Sequence, residues 1–329
     1  MRKLTAVVLM FLLVSAFFTG CGGSKGVKTG LAVITTVNKS TDAGVKPGLA
    51  ETDSTVAAVM VDGSGKIIKC VIDSVQSKIN FDASGKLITP TDTKFLTKDE
   101  RGEDYGMKKA SKIGKEWNEQ AAEFAKYVEG KTVDEVKTIA VDESKHAIGS
   151  DLKTSVTISI GEFIEAVEKA AAQAQDLGAS SSDKLGLGIM TNMKHSVNAG
   201  EKPGLAEGYS TYVAITQDSK GKISSCLIDA SQGRINFNTS GKIITDLKVR
   251  VKTKNELGEE YGMKKVSKLG KEWNEQAAAF AKYVTGKTPA EVADIAVNDK
   301  GQATGSDLLA SVTIGITDLK EALAKAAAK

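Results

Sequence analysis

The chain has 329 residues, 41% of them apolar, which is enough for two domains of ordinary size with real cores and too apolar for a disordered chain. Its 44 basic and 41 acidic side chains nearly cancel, so no basic field draws nucleic acid. Aromatic residues at 5% leave little surface on which bases would stack.

The N-terminus opens on a positive Met-Arg-Lys and the apolar run LTAVVLMFLLVSAFF, the pattern of an export signal over residues 1–20. That run is too short to be read as a membrane-spanning helix. Phe18-Thr19-Gly20-Cys21 follows, with a Gly/Ser-containing tether over 21–29. A small residue before a cysteine at this place resembles the lipobox of bacterial lipoproteins. The resemblance implies cleavage before Cys21, diacylation of its sulfur and a protein held on the outer face of the cell membrane. Two acyl chains anchor stably where one is marginal. A plain secretory signal with an incidental cysteine is the alternative. Cys70 and Cys226 remain, one in each half of the chain, which is no disulfide framework. In KIIKCVID, Cys70 alternates in phase with Ile68 and Ile72 and is expected to face a core.

The mature chain is a tandem repeat with a constant offset of 156 residues: PGLAE at 47–51 returns at 203–207, and Trp117 returns as Trp273. Between residues 100–132 and 256–288 only 6 of 33 positions differ. Each copy has the size of a domain and is too long for a solenoid unit. The expected domains span 30–174 and 186–329, joined by a polar linker at 175–185.

Within each copy strands precede helices. GLAVITTVN, STVAAVMVD and KIIKCVID read as strands rich in Val, Ile and Thr. DGSGK at 62–66 and DASGK at 82–86 are turn signals that close hairpins. Trp117, Ala121, Phe124 and Val128 fall on one face of a helix from about Lys115 to Val128. Thr132 with Glu135 forms a capping box for a second helix; in the other copy Thr288 caps, Pro289 starts the helix and Glu291 completes the box. A short strand through 154–160 and a closing helix from about Gly161 finish the copy. The fold class is α+β: two tandem copies of a small, mostly antiparallel sheet with helices packed on it.

GSDLKTSVTI at 149–158 and GSDLLASVTI at 305–314 stay alike, although the segments just before them, 133–148 and 289–304, agree at only 6 of 16 positions. Thr154 becomes Ala310 and Ser159 becomes Gly315, whereas Ser155 and Thr157 survive as Ser311 and Thr313. Patterning alone also suits a half-buried strand with a wet polar face.

Asp151-Leu152-Lys153-Thr154-Ser155-Val156-Thr157 resembles the D-x-x-S-G-A-T stretch of FMN-binding domains, a family that includes the C subunit of the sodium-pumping NADH:quinone reductase. The resemblance implies covalent FMN on Thr157 and Thr313 through a phosphoester, two flavins in all. It makes Asp151, Ser155, Asp307 and Ser311 motif neighbours. Ser-Val stands where the family has Gly-Ala, and that glycine permits close approach. Lipobox, tandem domains and YGMKK…GKEWNEQA…FAKYV…GKT together resemble two-domain flavin lipoproteins of Gram-positive extracellular electron transfer. The function then implied is that of an electron carrier rather than an enzyme. Its partners would be an FAD-dependent FMN transferase, a membrane quinone- or NADH-dehydrogenase-type electron donor and extracellular acceptors. A non-covalent flavin or small-molecule binder and a cofactor-free envelope scaffold are the alternatives.

Tyr105 and Met107, with Tyr261 and Met263, either face the flavin ring or plug the helix onto the sheet. Trp117 and Trp273 read as core. His146 aligns with Gln302 and His195 with Lys39, so neither histidine belongs to a duplicated site. No Cys/His cluster suggests a metal. Gly186-Leu187-Gly188 lies in a strand pattern and is no dinucleotide fingerprint. Lys108-Lys109 and Lys264-Lys265 read as solvated faces.

Overall fold

The computed structural model describes residues 26–328; the export signal and Cys21 lie outside the described residues. In the first repeat the strands are β1 (Lys28–Thr36), β2 (Gly48–Val61), β3 (Ile67–Phe81) and β4 (Lys94–Phe95). Its helices are α1 (Lys98–Arg101), α2 (Trp117–Val128), α3 (Val133–Lys137), α4 (Ser150–Lys153) and α5 (Gly161–Ala172). The second repeat has β5 (Lys184–Asn192), β6 (Gly204–Gln217) and β7 (Ile223–Phe237). Its helices are α6 (Lys254–Leu257), α7 (Trp273–Val284), α8 (Pro289–Ala293), α9 (Ser306–Leu309) and α10 (Thr317–Ala327). Strand order is β1-β2-β3 in one sheet and β4-β5-β6-β7 in the other, with every pairing antiparallel. The class is α+β, with helices packed on two mostly antiparallel sheets.

Local chemistry makes these elements. Asp62 Oδ1 accepts from the Ser64 amide at 2.8 Å and the Lys66 amide at 3.0 Å, which closes the β2–β3 hairpin. The expected face of α2 is buried, with Trp117 at 5%, Ala121 at 1% and Phe124 and Val128 at 0% exposure. Burying each such large side chain contributes about 1.5–3 kcal/mol. Thr132 and Thr288 head α3 and α8 with the expected capping boxes.

The two sheets lie face to face, with the helices outside. One core sits under α2 and α5, and its twin under α7 and α10. Two further clusters fill the space between the sheets, where Leu31, Val56 and Met60 meet Leu187, Ile189 and Tyr212. Phe81 stacks on Phe237 there, ring centres 4.3 Å apart. The approach is close: a Cβ on Gly233 would stand 2.1 Å from Thr52 Oγ1. β4 leaves the first repeat to pair with β5 of the second, and Val251 makes a single bridge to Thr35 in return. The 175–185 stretch is fastened as well. Gln175 pairs with Thr29, and buried Asp183 accepts from the Ser224 hydroxyl.

Two expectations are corrected. The 154–160 stretch is no strand: α4 turns through 150–153, and only Ser159 makes an isolated bridge, to His146. The alternation arises because Val156 and Ile160 plug the core while the chain runs irregularly between helices. Ile68 does not share the face of Cys70. A bulge, where Met60 pairs Lys69 but Val61 pairs Ile67, puts Ile67 beside Cys70 and Ile72 and turns Ile68 to the inter-sheet side. Cys70 itself is buried as expected. The glycines at 186 and 188 admit α10, since a Cβ there would lie 2.0 and 1.9 Å from the Ala326 and Ala322 carbonyl oxygens.

Candidate functional site

Thr157 and Thr313 follow the short α4 and α9 turns, on the C-terminal side of buried Val156 and Val312. Each half-buried threonine is held by one glutamine. Gln120 Oε1 accepts from the Thr157 amide at 2.8 Å and its hydroxyl at 3.2 Å; Gln276 Oε1 accepts from the Thr313 amide at 2.8 Å and its hydroxyl at 3.1 Å. Both glutamines are 0% exposed. Their amide nitrogens donate to Ser111 Oγ and the Lys115 carbonyl, and to Ser267 Oγ and the Lys271 carbonyl. Sequence reasoning missed them. The available signal was a glutamine three residues after Trp117, on the apolar stripe of α2.

The motif neighbours are not gathered around the threonines. Ser155 and Ser311 turn their hydroxyls back onto the Leu152 and Leu308 carbonyls, each at 3.3 Å. Asp151 and Asp307 are exposed and accept from Ser150 and Ser306. Ser155 and Ser311 sit in backbone open to any side chain, because Lys145 is the one described non-glycine residue with positive φ. The valines standing for the family's alanine are core.

The Tyr-Gly-Met segments are clamped onto the start of the long helices. Gly106 and Gly262 take φ of 79° and 76°. The Met107 and Lys108 amides donate to the Glu116 carboxylate, both at 2.8 Å, and the Met263 and Lys264 amides to Glu272 at 2.8 and 3.0 Å. The tyrosines and methionines pack half-buried against the outer cores, so they do plug helix to sheet. In the second repeat they also wall a cleft.

That cleft encloses about 960 Å³ and brings Thr313, Tyr261, Met263, Trp273 and Gln276 together around Lys254. Lys254 is 4% exposed; its ammonium lies 4.6 Å from the Tyr209 and Tyr261 ring centres and 4.7 Å from that of Trp273. It donates to the Tyr209 hydroxyl at 2.8 Å. Burial pushes its pKa down to about 7, opposed by the charge of Glu207. Glu207, itself 0% exposed in its side chain, is engaged by Arg234 at 2.6 Å and His195 at 2.9 Å. His195 therefore belongs to the cleft wall, although it is not duplicated. Gln302 donates to the Thr313 carbonyl at 2.6 Å.

The matching cleft of the first repeat encloses about 670 Å³ around Lys98, Trp117 and Ser159, without Thr157, Tyr105 or Met107 in its lining. Lys98 lies 4.8 Å from the Trp117 ring centre and 5.3 Å from that of Tyr105, and burial pushes its pKa down to about 8. Lys98 and Lys254, like the glutamines, were missed by sequence reasoning, because a lysine in a four-residue helix carries no periodic signal.

No family model matches the chain, and neither a curated protein nor a solved structure does. Among the described residues no helix is long and apolar enough to cross a membrane.

Proposed function

We propose that the chain is a lipid-anchored electron carrier outside the cytoplasm, bearing FMN joined covalently to Thr157 and Thr313. The observation that carries this reading is the second-repeat cleft, in which a threonine hydroxyl shares one space with Tyr261, Met263, Trp273 and Lys254. Its volume is that of a small-molecule site. Thr211 brings a buried hydroxyl to the same wall beside Tyr209.

The residues of the second repeat fit the group. Thr313 is the attachment point, Tyr261 and Met263 offer a flat soft surface, and Lys254 offers a cation. Esterification at Thr313 Oγ1 removes the proton that Gln276 accepts at 3.1 Å but leaves the amide bond at 2.8 Å to hold the loop. FMN, when bound, supplies one- and two-electron transfer, which no side chain of this chain supplies. The protein positions and shields and is no catalyst in its own right. Attachment falls to a separate FAD-dependent FMN transferase. Electrons come from a membrane quinone- or NADH-dehydrogenase-type donor and leave to extracellular acceptors, while acylated Cys21 keeps the carrier at the membrane.

Protein purified from a host carrying the transferase is expected to fluoresce as a denatured gel band under ultraviolet light and to gain the mass of two FMN moieties. The double substitution Thr157→Ala with Thr313→Ala removes both signals. A colourless protein from that host overturns the reading, and flavin retained by the double variant after denaturation overturns the site assignment.

A further inference from the structure

The repeats are copies, but their clefts have diverged at facing positions. Gly301 in the second repeat is Lys145 in the first, at φ of 71° and 65°. Across from them, Thr317 is Gly161. The pairs compensate. A Cβ on Gly301 would stand 2.6 Å from Thr317 Oγ1, and a Cβ on Gly161 would stand 3.0 Å from Lys145 Cγ. The first repeat therefore accepts an unfavourable left-handed lysine whose side chain lies across the cleft wall, where the second keeps the space open. Tyr209, part of the aromatic wall around Lys254, is Asp53 in the first repeat, tied to Lys39 at 2.5 Å. Thr211, beside Tyr209, is Thr55 in the first repeat, which donates to Glu162 at 2.7 Å. At the mouth, Val266 and Leu309 are 83% and 39% exposed where the first repeat has Ala110 and Lys153.

We propose that the second repeat alone encloses a planar, anionic aromatic ligand, with the Lys254 amino group meeting its negative edge, while Lys145 and the Lys39–Asp53 pair narrow the first cleft and line it with charge. An apolar mouth, an aromatic wall and an inward cation suit a ligand with a flat face and a charged or electron-rich rim. That the ligand is a flavin rests on the function proposed above. A flavin on Thr157 then lies outside an enclosing cleft, and the two attachment sites are unequal.

The test titrates the full chain, made in a host without the transferase, with FMN and follows the quenching of flavin fluorescence. One equivalent is expected to bind. Lys254→Gln is expected to weaken binding at least tenfold and Lys98→Gln less than twofold. The double substitution Gly301→Lys with Thr317→Gly, which writes the first repeat's pair into the second, is expected to weaken binding at least tenfold with the thermal midpoint retained. Two equal equivalents, equal effects of the two lysine variants, or no saturable binding overturn the inference. Flavin-free threonines in a transferase host, together with Lys254-dependent binding of free FMN, sink the tether and keep this inference. Flavinylated Thr313 whose fluorescence is unchanged by Lys254→Gln does the reverse.

Discussion

Gln276 holds Thr313 by two bonds to one oxygen: Oε1 accepts the backbone amide at 2.8 Å and the hydroxyl at 3.1 Å. The first repeat repeats the arrangement with Gln120 and Thr157. Removing the acceptor leaves the threonine amide unpaired, which costs about 1–3 kcal/mol. Gln276→Ala is expected to lose that much in urea unfolding. Thr313→Val, which keeps the amide bond, is expected to lose less than about 1 kcal/mol.

Lys254 makes stability depend on pH with a definite sign. Its pKa is 10.5 when exposed and falls to about 7 in the fold. Between those values the unfolded chain binds a proton that the folded chain does not, so this contribution to stability rises with pH, by about 1.4 kcal/mol per unit. Below about 7 the burial penalty is present in full. Lys254→Met is expected to gain stability on the parent at low pH and to lose that gain progressively above pH ~7, with the loss complete only by pH ~10.5, as read by urea unfolding. A gap that does not change with pH would assign the titration to another group.

The repeats share a core, and β4 of the first pairs with β5 of the second, so they are expected to unfold together. Calorimetry of the full chain should show one transition, and two resolved transitions would contradict the shared core. Phe237→Ala breaks the 4.3 Å stack with Phe81 and empties a fully buried site. The loss expected is about 3–5 kcal/mol, still within a single transition.

Both described cysteines should be silent in the native protein. Burial pushes the Cys226 thiol up to about 12 and Cys70 higher still. Iodoacetamide at mildly alkaline pH is expected to label neither residue until denaturant is added, with peptide mass mapping as the readout. Fast native labelling of Cys226 would mean that β7 opens locally.

Much of the local structure was legible in the sequence. The stripe from Trp117 to Val128, the capping boxes at Thr132 and Thr288 and the Asp62 turn depend on neighbours within a few residues, and each formed as its chemistry dictates. The stretch at 154–160 misled because alternation records which residues are buried, not the backbone that buries them; two plugs on an irregular segment mimic a strand. Cys70 and Ile68 were separated by a bulge, which depends on the partner strand. The site was legible only in part. Thr313, Tyr261 and Met263 stand in one cleft, whereas Asp307 and Ser311 lie off its lining.

By itself the sequence determined the duplication, the starts of α2, α3 and α8, the hairpin turn at Asp62 and the buried face of α2, because these follow from spacing and short-range chemistry. Only the tertiary structure decided that the two sheets meet face to face, that Gln120 and Gln276 hold the threonines, and that Lys254 sits among three rings. Those relations join residues far apart in the chain, and their energies come from burial and close approach, which no local pattern records. The difference between the clefts has the same origin: Gly301 and Lys145 gain their meaning from Thr317 and Gly161 across the wall.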